Sequence, residues 1–112
     1  MLQVGLKKII IQGKNSSDIY CLADIEYVKS RGCYTNFHLV NGDKIVSSKP
    51  LAYYEKLLAE HGFIRIHHQY LVNLEHVKSL LNGLPFRIKL TSGQILPVTR
   101  YRKMEFYELF LH

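Results

Sequence analysis

Cysteine is scarce in this chain: Cys21 and Cys33 are the only two, and they form no CxxC pair. Two thiols cannot hold zinc without histidine. Both fall in predicted strands, and free thiols in a reducing cytosol are the expected state. No apolar run approaches the roughly 20 residues that span a bilayer, so no membrane partner is expected. The leading segment, Met1 to Lys8, has no long apolar core after its lysines, which predicts that it is not a secretory signal. Catalytic signatures are also missing. There is no HExxH helix, no GxSxG elbow and no phosphate-cradling GxxxxGK. Six histidines with Asp18, Asp24 and Asp43 supply acid–base or metal-ligand chemistry in principle. His67 and His68 are adjacent, however, and adjacent strand side chains point to opposite faces. No histidine spacing supports either cysteine as a nucleophile. The expectation is no enzyme and no cofactor.

Acidic residues are few as well. Nine stand against 15 lysines and arginines, giving a net charge of +6 and a pI near 9.4. That surplus points to a polyanionic partner, of which nucleic acid is the commonest. The alternative is a basic interaction module that docks an acidic protein, which would show salt sensitivity without preference among DNA sequences. A length of 112 residues suits one domain, and a hydrophobic fraction of 47% excludes disorder.

Hairpin signals dominate what is present. Lys8 to Ile11 is a short apolar run, Gln12 to Asp18 a polar turn, and Ile19 to Leu22 a strand. Glu26 to Lys29 and Tyr34 to Val40 follow as strands, the latter by residue type. Asn41-Gly42 marks a turn, and Lys44 to Ser47 returns beside it. Leu51, Tyr54, Leu57 and Leu58 repeat at helical spacing after Pro50. Ser48 can cap that helix and Gly62 can end it. Phe63 to Val72 is extended, and Asn73 can cap a single helical turn through His76. Val77 to Leu81, Phe86 to Leu90 and Gln94 to Val98 are strands, separated by turns at Asn82-Gly83 and Ser92-Gly93. Thr99 can cap a last helix over Tyr101 to Leu111, with Met104, Tyr107 and Phe110 on one face. Tyr53, Tyr54, Phe37 and Phe63 are candidate core aromatics. The pattern predicts a mostly β, mainly antiparallel domain with one central and one C-terminal helix.

The richest polar stretch is Arg65-Ile66-His67-His68-Gln69-Tyr70-Leu71-Val72-Asn73, echoed by Leu96-Pro97-Val98-Thr99-Arg100-Tyr101-Arg102. If the first run is wholly extended, Ile66, His68, Tyr70 and Val72 share one face and Arg65, His67, Gln69 and Leu71 the other. These side chains mostly donate hydrogen bonds to anions and base edges. Three blocks resemble the LytTR family of DNA-binding domains. They are Phe63, Arg65, His67 and Tyr70 to Asn73; Gly93 to Arg100, where Thr99 replaces a common Ser; and Glu26 to Thr35 with its Gly32-x-Tyr34-Thr35 ending. In order, they cover about 18–107 of a single domain spanning 1–112. His68 stands where the family often has Arg or Lys, and Gln69 where it often has Ser.

The resemblance implies an elongated arrangement of short antiparallel sheets whose edge loops enter successive major grooves of double-stranded DNA. It implies base contacts from the segment Ser30 to Asn36, from His68 and from Arg100. Within that segment Arg31 and Tyr34 are the candidate base readers. Lys29, Ser30, Asn36, Arg65, Gln69, Tyr101, Arg102 and Lys103 are the candidate phosphate contacts. Arg100 carries a planar fork that matches guanine O6 and N7. Gly32 lets backbone approach phosphate, and the start of the last helix offers amides to it.

Plainer roles stand beside these. His67 can bond backbone near Asn73, Asn73 can be only a cap, and His68 can be a spectator. Arg65 can pair with Glu60 or Glu75, and Lys29 and Arg31 can be an ordinary solvated loop. The resemblance further implies a cytoplasmic transcriptional regulator of a bacterial two-component system. It implies a receiver or sensory domain outside this chain and two copies on paired direct repeats.

Overall fold

The computed structural model describes residues 7–111. The expectation about the leading segment rests mainly on residues 1–6, which lie outside the described residues. Ten strands and two helices follow one another. The strands are β1 (Lys8–Gln12), β2 (Ser17–Cys21), β3 (Ile25–Arg31), β4 (Tyr34–Leu39) and β5 (Lys44–Ser47). After α1 (Leu51–Leu58) come β6 (Phe63–His67), β7 (Tyr70–Asn73), β8 (Val77–Leu81), β9 (Arg87–Leu90), β10 (Ile95–Pro97) and α2 (Arg100–Glu108). Every strand pairing is antiparallel. They form a β1-β2 ribbon, a central sheet in the order β5-β4-β3-β7-β6, and a small sheet in the order β10-β9-β8. The domain measures 42 × 39 × 25 Å, broad and flat.

The central sheet is the middle layer. On one face Ile25, Val28, Phe37 and Leu71 pack with Ile9 and Ile11 of β1 and with Leu51, Tyr54 and Leu58 of α1. On the other, Tyr27, Ile66 and Val72 pack with Ile88 and Leu90 of β9, Leu96, Val98 and Phe106 of α2. The Ile25–Val28 half of β3 and most of β7 are thus buried on both sides, while the Lys29–Arg31 end of β3 runs out polar toward the turn. A bulge at Glu26 lets Ile25 and Val28, three apart, share a face.

The sequence expectations meet several corrections. The stretch Phe63 to Val72 is a hairpin, not one strand, because the chain turns at His68-Gln69. Cys33 lies in the turn between β3 and β4 rather than in a strand, and both cysteines are free and exposed. Pro50 occupies the N-cap position of α1, while the Ser48 hydroxyl donates to the Gln12 carbonyl at 3.3 Å. Leu57 and Tyr53 face outward from α1. Gly62, at φ +84°, closes the short helical turn that follows α1. The last helix runs Arg100–Glu108 rather than to Leu111; in it Met104 is exposed and Phe106 is the buried residue, and Phe110, just past its end, is exposed. The Lys103 ammonium sits 3.6 Å from the Phe86 ring centroid and covers that side of the small sheet. Thr99 holds the N-cap position of α2 without a side-chain hydrogen bond.

Asn73 behaves as the cap expected of it and does more. Its Oδ1 accepts from the Glu75 amide at 3.1 Å, while Nδ2 donates to the carbonyls of Leu22 (3.2 Å) and Ile25 (2.9 Å). The side chain is buried, so it joins the end of β7 to the start of β3 where water cannot substitute. Replacing Asn73 with Ala should cost about 3 kcal/mol, since each orphaned buried group loses about 1–3 kcal/mol. Urea denaturation of the two proteins measures it; a difference under about 0.5 kcal/mol would refute the clamp.

Candidate nucleic-acid interface

Three segments far apart in sequence meet at one edge of the molecule. The first is the β3–β4 turn. Arg31 pairs with Tyr34, so Gly32-Cys33 is a two-residue loop, and Gly32 takes φ +64° at its first central position. A positive φ there matches the turn to the right-handed twist of its strands and favours glycine. The loop exposes Arg31 and Tyr34 and leaves Lys29 and Ser30 half-buried. Asn36 sits across from Lys29 and is buried, at 5% exposure.

The second segment is the β6–β7 turn, which β6 enters through a bulge. Arg65 pairs with Leu71 and His67 with Tyr70, so Ile66 is the extra residue. Arg65 braces the turn from within. Its Nε donates to the His67 carbonyl at 2.9 Å, one terminal nitrogen donates to the His68 carbonyl, and the other pairs with Glu55 on α1. The partner is therefore Glu55, not Glu60 or Glu75. The Arg65 side chain is only 17% exposed. His67 bonds backbone too, but that of Gln69, whose amide donates to Nδ1 at 3.1 Å, rather than backbone near Asn73. The His67 and His68 rings stack at 4.4 Å, and His68 and Gln69 are exposed.

The third segment is the start of α2. Arg100, its first residue, is exposed and borders a cleft with His67, Pro85, Pro97 and Thr99. Tyr101 is 91% exposed. Arg102 leans on Glu105 at 3.5 Å, and Lys103 is held on Phe86.

Two backbone hydrogen bonds tie these segments together. The Ser30 amide donates to the Gln69 carbonyl at 2.8 Å, and the Thr99 amide donates to the Ile66 carbonyl at 2.9 Å. Among the described residues, Lys29, Arg31 and Arg100 have no carboxylate within ion-pair distance, so the edge carries uncompensated positive charge. No group of three metal-ligating side chains occurs among the described residues, and no described helix is long and apolar enough to cross a membrane. The sequence reading missed His38 and Lys44, which lie behind Lys29 on the same sheet face. Counting pairs back from the Gly32-Cys33 turn would have found His38 opposite Tyr27.

The chain matches the family model of the LytTr DNA-binding domain over residues 17–111. Its fold is similar to a solved LytTr DNA-binding domain, that of a protein described as a methyl-accepting/DNA response regulator from Bacillus cereus. The TM-score is 0.79 at 19% identity, covering 96% of this chain and 100% of that one. No curated protein matches the chain in sequence.

Burial, then the neighbouring His68 and Arg65, holds the His67 imidazole below its usual value of 6.5. A neutral Nδ1 is also what the Gln69 amide requires. Folding lowers this pKa, so the stabilisation is complete above the ordinary value and is lost as pH falls through the lowered one. An NMR titration should place the His67 midpoint below 6.5, with the Gln69 amide shift following it. A midpoint at or above 6.5 would rule out the acceptor role.

Proposed function

This chain belongs to the LytTR family of DNA-binding domains, and from that premise we propose that it binds double-stranded DNA sequence-specifically through the three-segment edge. The carrying observation is the convergence itself. The Lys29–Tyr34, His67–Gln69 and Thr99–Lys103 segments are joined by single backbone hydrogen bonds, and among the described residues Lys29, Arg31 and Arg100 on them have no ion-pair partner. A duplex offers base edges in its major groove and two rows of phosphates, and such an edge can address both.

In this reading Arg100, first on α2 and without an ion pair among the described residues, reads a guanine through its planar fork. His68, Arg31 and Tyr34 project from the two turns toward neighbouring base edges. Lys29, Ser30, Gln69, Tyr101 and Arg102 hold phosphates and set register. Lys103 adds field from its seat on Phe86. Arg65, with all its nitrogens engaged, serves by fixing the turn that presents His68 and Gln69. Asn36 supports Lys29 from the strand opposite. The edge loops enter successive major grooves, and two copies occupy paired direct repeats.

The wider context follows from the family and from the response regulator named for the similar structure. The domain is the output part of a bacterial two-component transcriptional regulator, acting in the cytoplasm, with a receiver or sensory domain elsewhere in the protein.

Selection from a random DNA pool at about physiological salt should enrich two short repeats about one helical turn apart. Retention without any enriched sequence would instead favour an acidic protein partner. Against the selected site, Arg100→Ala should lose about 1–3 kcal/mol of discrimination with the fold intact. Equal affinities of variant and parent would remove Arg100 from base reading. Lys29→Ala should weaken all sequences alike and lower the salt slope by about 0.9; an unchanged slope would reject its phosphate contact.

A further inference from the structure

Part of the central sheet is left uncovered by the small sheet. There Lys29 lies opposite Asn36, Tyr27 opposite His38, and His38 opposite Lys44, so these side chains share one face. With Gln69 from the β6–β7 turn and Gln94 from the turn before β10, they line a groove of about 510 Å³.

The groove gathers donors and excludes acids. Lys29, Arg31 and Lys44 line it, none ion-paired among the described residues, and no Asp or Glu lines it. On its floor lie two polar side chains more than nine-tenths buried, Asn36 at 5% and Tyr27 at 7% exposure. Neither takes part in a side-chain hydrogen bond among the described residues. Their polar atoms are not sealed in the protein either. The Asn36 amide and the Tyr27 hydroxyl therefore open onto the groove, where an occupant can replace the water that reaches them. His38 stacks on Tyr27 at 4.3 Å, and burial, followed by the nearby Lys44 and Lys29, lowers its pKa.

We propose that this groove binds a small phosphate-bearing solute, the floor amide and phenol donating to its oxygens between the Lys29 and Lys44 ammonium groups. A phosphate can be supplied by a free solute or by the DNA backbone. The depth of Asn36 and Tyr27 favours the free solute. A group reaching them must enter the groove, which a small molecule does and the convex, regularly stacked backbone of a duplex does not. Lys29, Ser30, Arg31 and Gln69 belong both to this groove and to the proposed DNA edge, so occupancy neutralises cations that DNA uses and weakens DNA binding. That consequence rests on the DNA-binding reading; the groove's own affinity does not.

Inorganic pyrophosphate, titrated into the domain at about physiological salt and followed by amide NMR, tests the site. One-site saturation is expected, with the largest shifts at Asn36, His38 and Lys44. Asn36→Leu and, on the exposed edge strand, Lys44→Ala should each weaken it about tenfold, the worth of one hydrogen bond to a charged group. Chloride at matched ionic strength should not reproduce it; equal shifts with chloride would show ionic screening alone and overturn the site. No saturation, or equal affinity in parent and Lys44→Ala, would overturn the proposal. A duplex arm separates the two sources. Lys44→Ala that loses pyrophosphate but keeps duplex affinity supports a free solute. Loss of duplex affinity without any pyrophosphate binding assigns the groove to the DNA backbone and overturns it. Absence of DNA binding by the parent would fail the DNA reading alone, with the pyrophosphate titration still decisive.

Discussion

The candidate edge depends on one backbone group, the Ile66 carbonyl. Ile66 is the extra residue of a bulge and is fully buried, so β7 offers no partner to it and neither does water. The Thr99 amide takes that carbonyl at 2.9 Å. A group whose orphaning is costly therefore sets the distance between the β6–β7 turn and the first residue of α2. The bulge also lets His67 and Arg100 border one cleft rather than opposite faces of the sheet. The Ser30-to-Gln69 hydrogen bond repeats the device on the other side of the turn. A defect in strand pairing is thus what gathers side chains from three places.

Net charge alone overstates the positive surface available to a partner. Arg65 is held by Glu55 and two carbonyls, Lys103 by the Phe86 ring, and Arg102 by Glu105. Among the described residues Lys29, Arg31, Lys44 and Arg100 have no carboxylate beside them, and of these Lys29 alone rests on a ring, 5.5 Å from the Tyr70 centroid. The division is physical. A guanidinium that is 17% exposed needs several acceptors to offset its lost hydration, and Arg65 has them. Arg100 is exposed and keeps its five donors for another molecule.

Local chemistry made much of the fold legible. Asn41-Gly42, Gly62 and the Asn73 cap are decided by residues within a few positions, and the structure has a turn, a helix end and a cap there. The candidate residues of the edge were named from motif resemblance; all but Arg65, on β6, and the buried Asn36, on β4, lie on three adjoining segments. What was not legible depends on distant partners. Phe63 to Val72 read as one extended run because nothing nearby signals that His68-Gln69 turns. The outward face of α2 was misjudged because a nine-residue helix rich in charge, with a few aromatic and apolar residues scattered round it, has no clear stripe, so the small sheet selects Phe106. Glu55 as the partner of Arg65 follows from how α1 lies along β6, which no spacing in the sequence encodes. The polar groove was hidden because Tyr27 read as an ordinary strand residue and Asn36 only as a DNA phosphate contact, until register puts them beside Lys29 and His38.

The way the helices are used explains why loops form the edge. α1 buries Leu51, Tyr54 and Leu58 against the central sheet, and α2 buries Phe106 while Lys103 lies over the small sheet. Neither presents a whole free face to a groove as an inserted recognition helix must. In the proposed DNA reading contact falls instead to turn residues, which are usually mobile and lose entropy when they bind. Here that loss is largely taken at folding. Arg65 pins two carbonyls of the β6–β7 turn, His67 accepts the Gln69 amide, and Gly32 permits a tight two-residue loop. Loops held this way approach the preorganisation of a helix, so the specificity of a loop-built surface need not be discounted for flexibility.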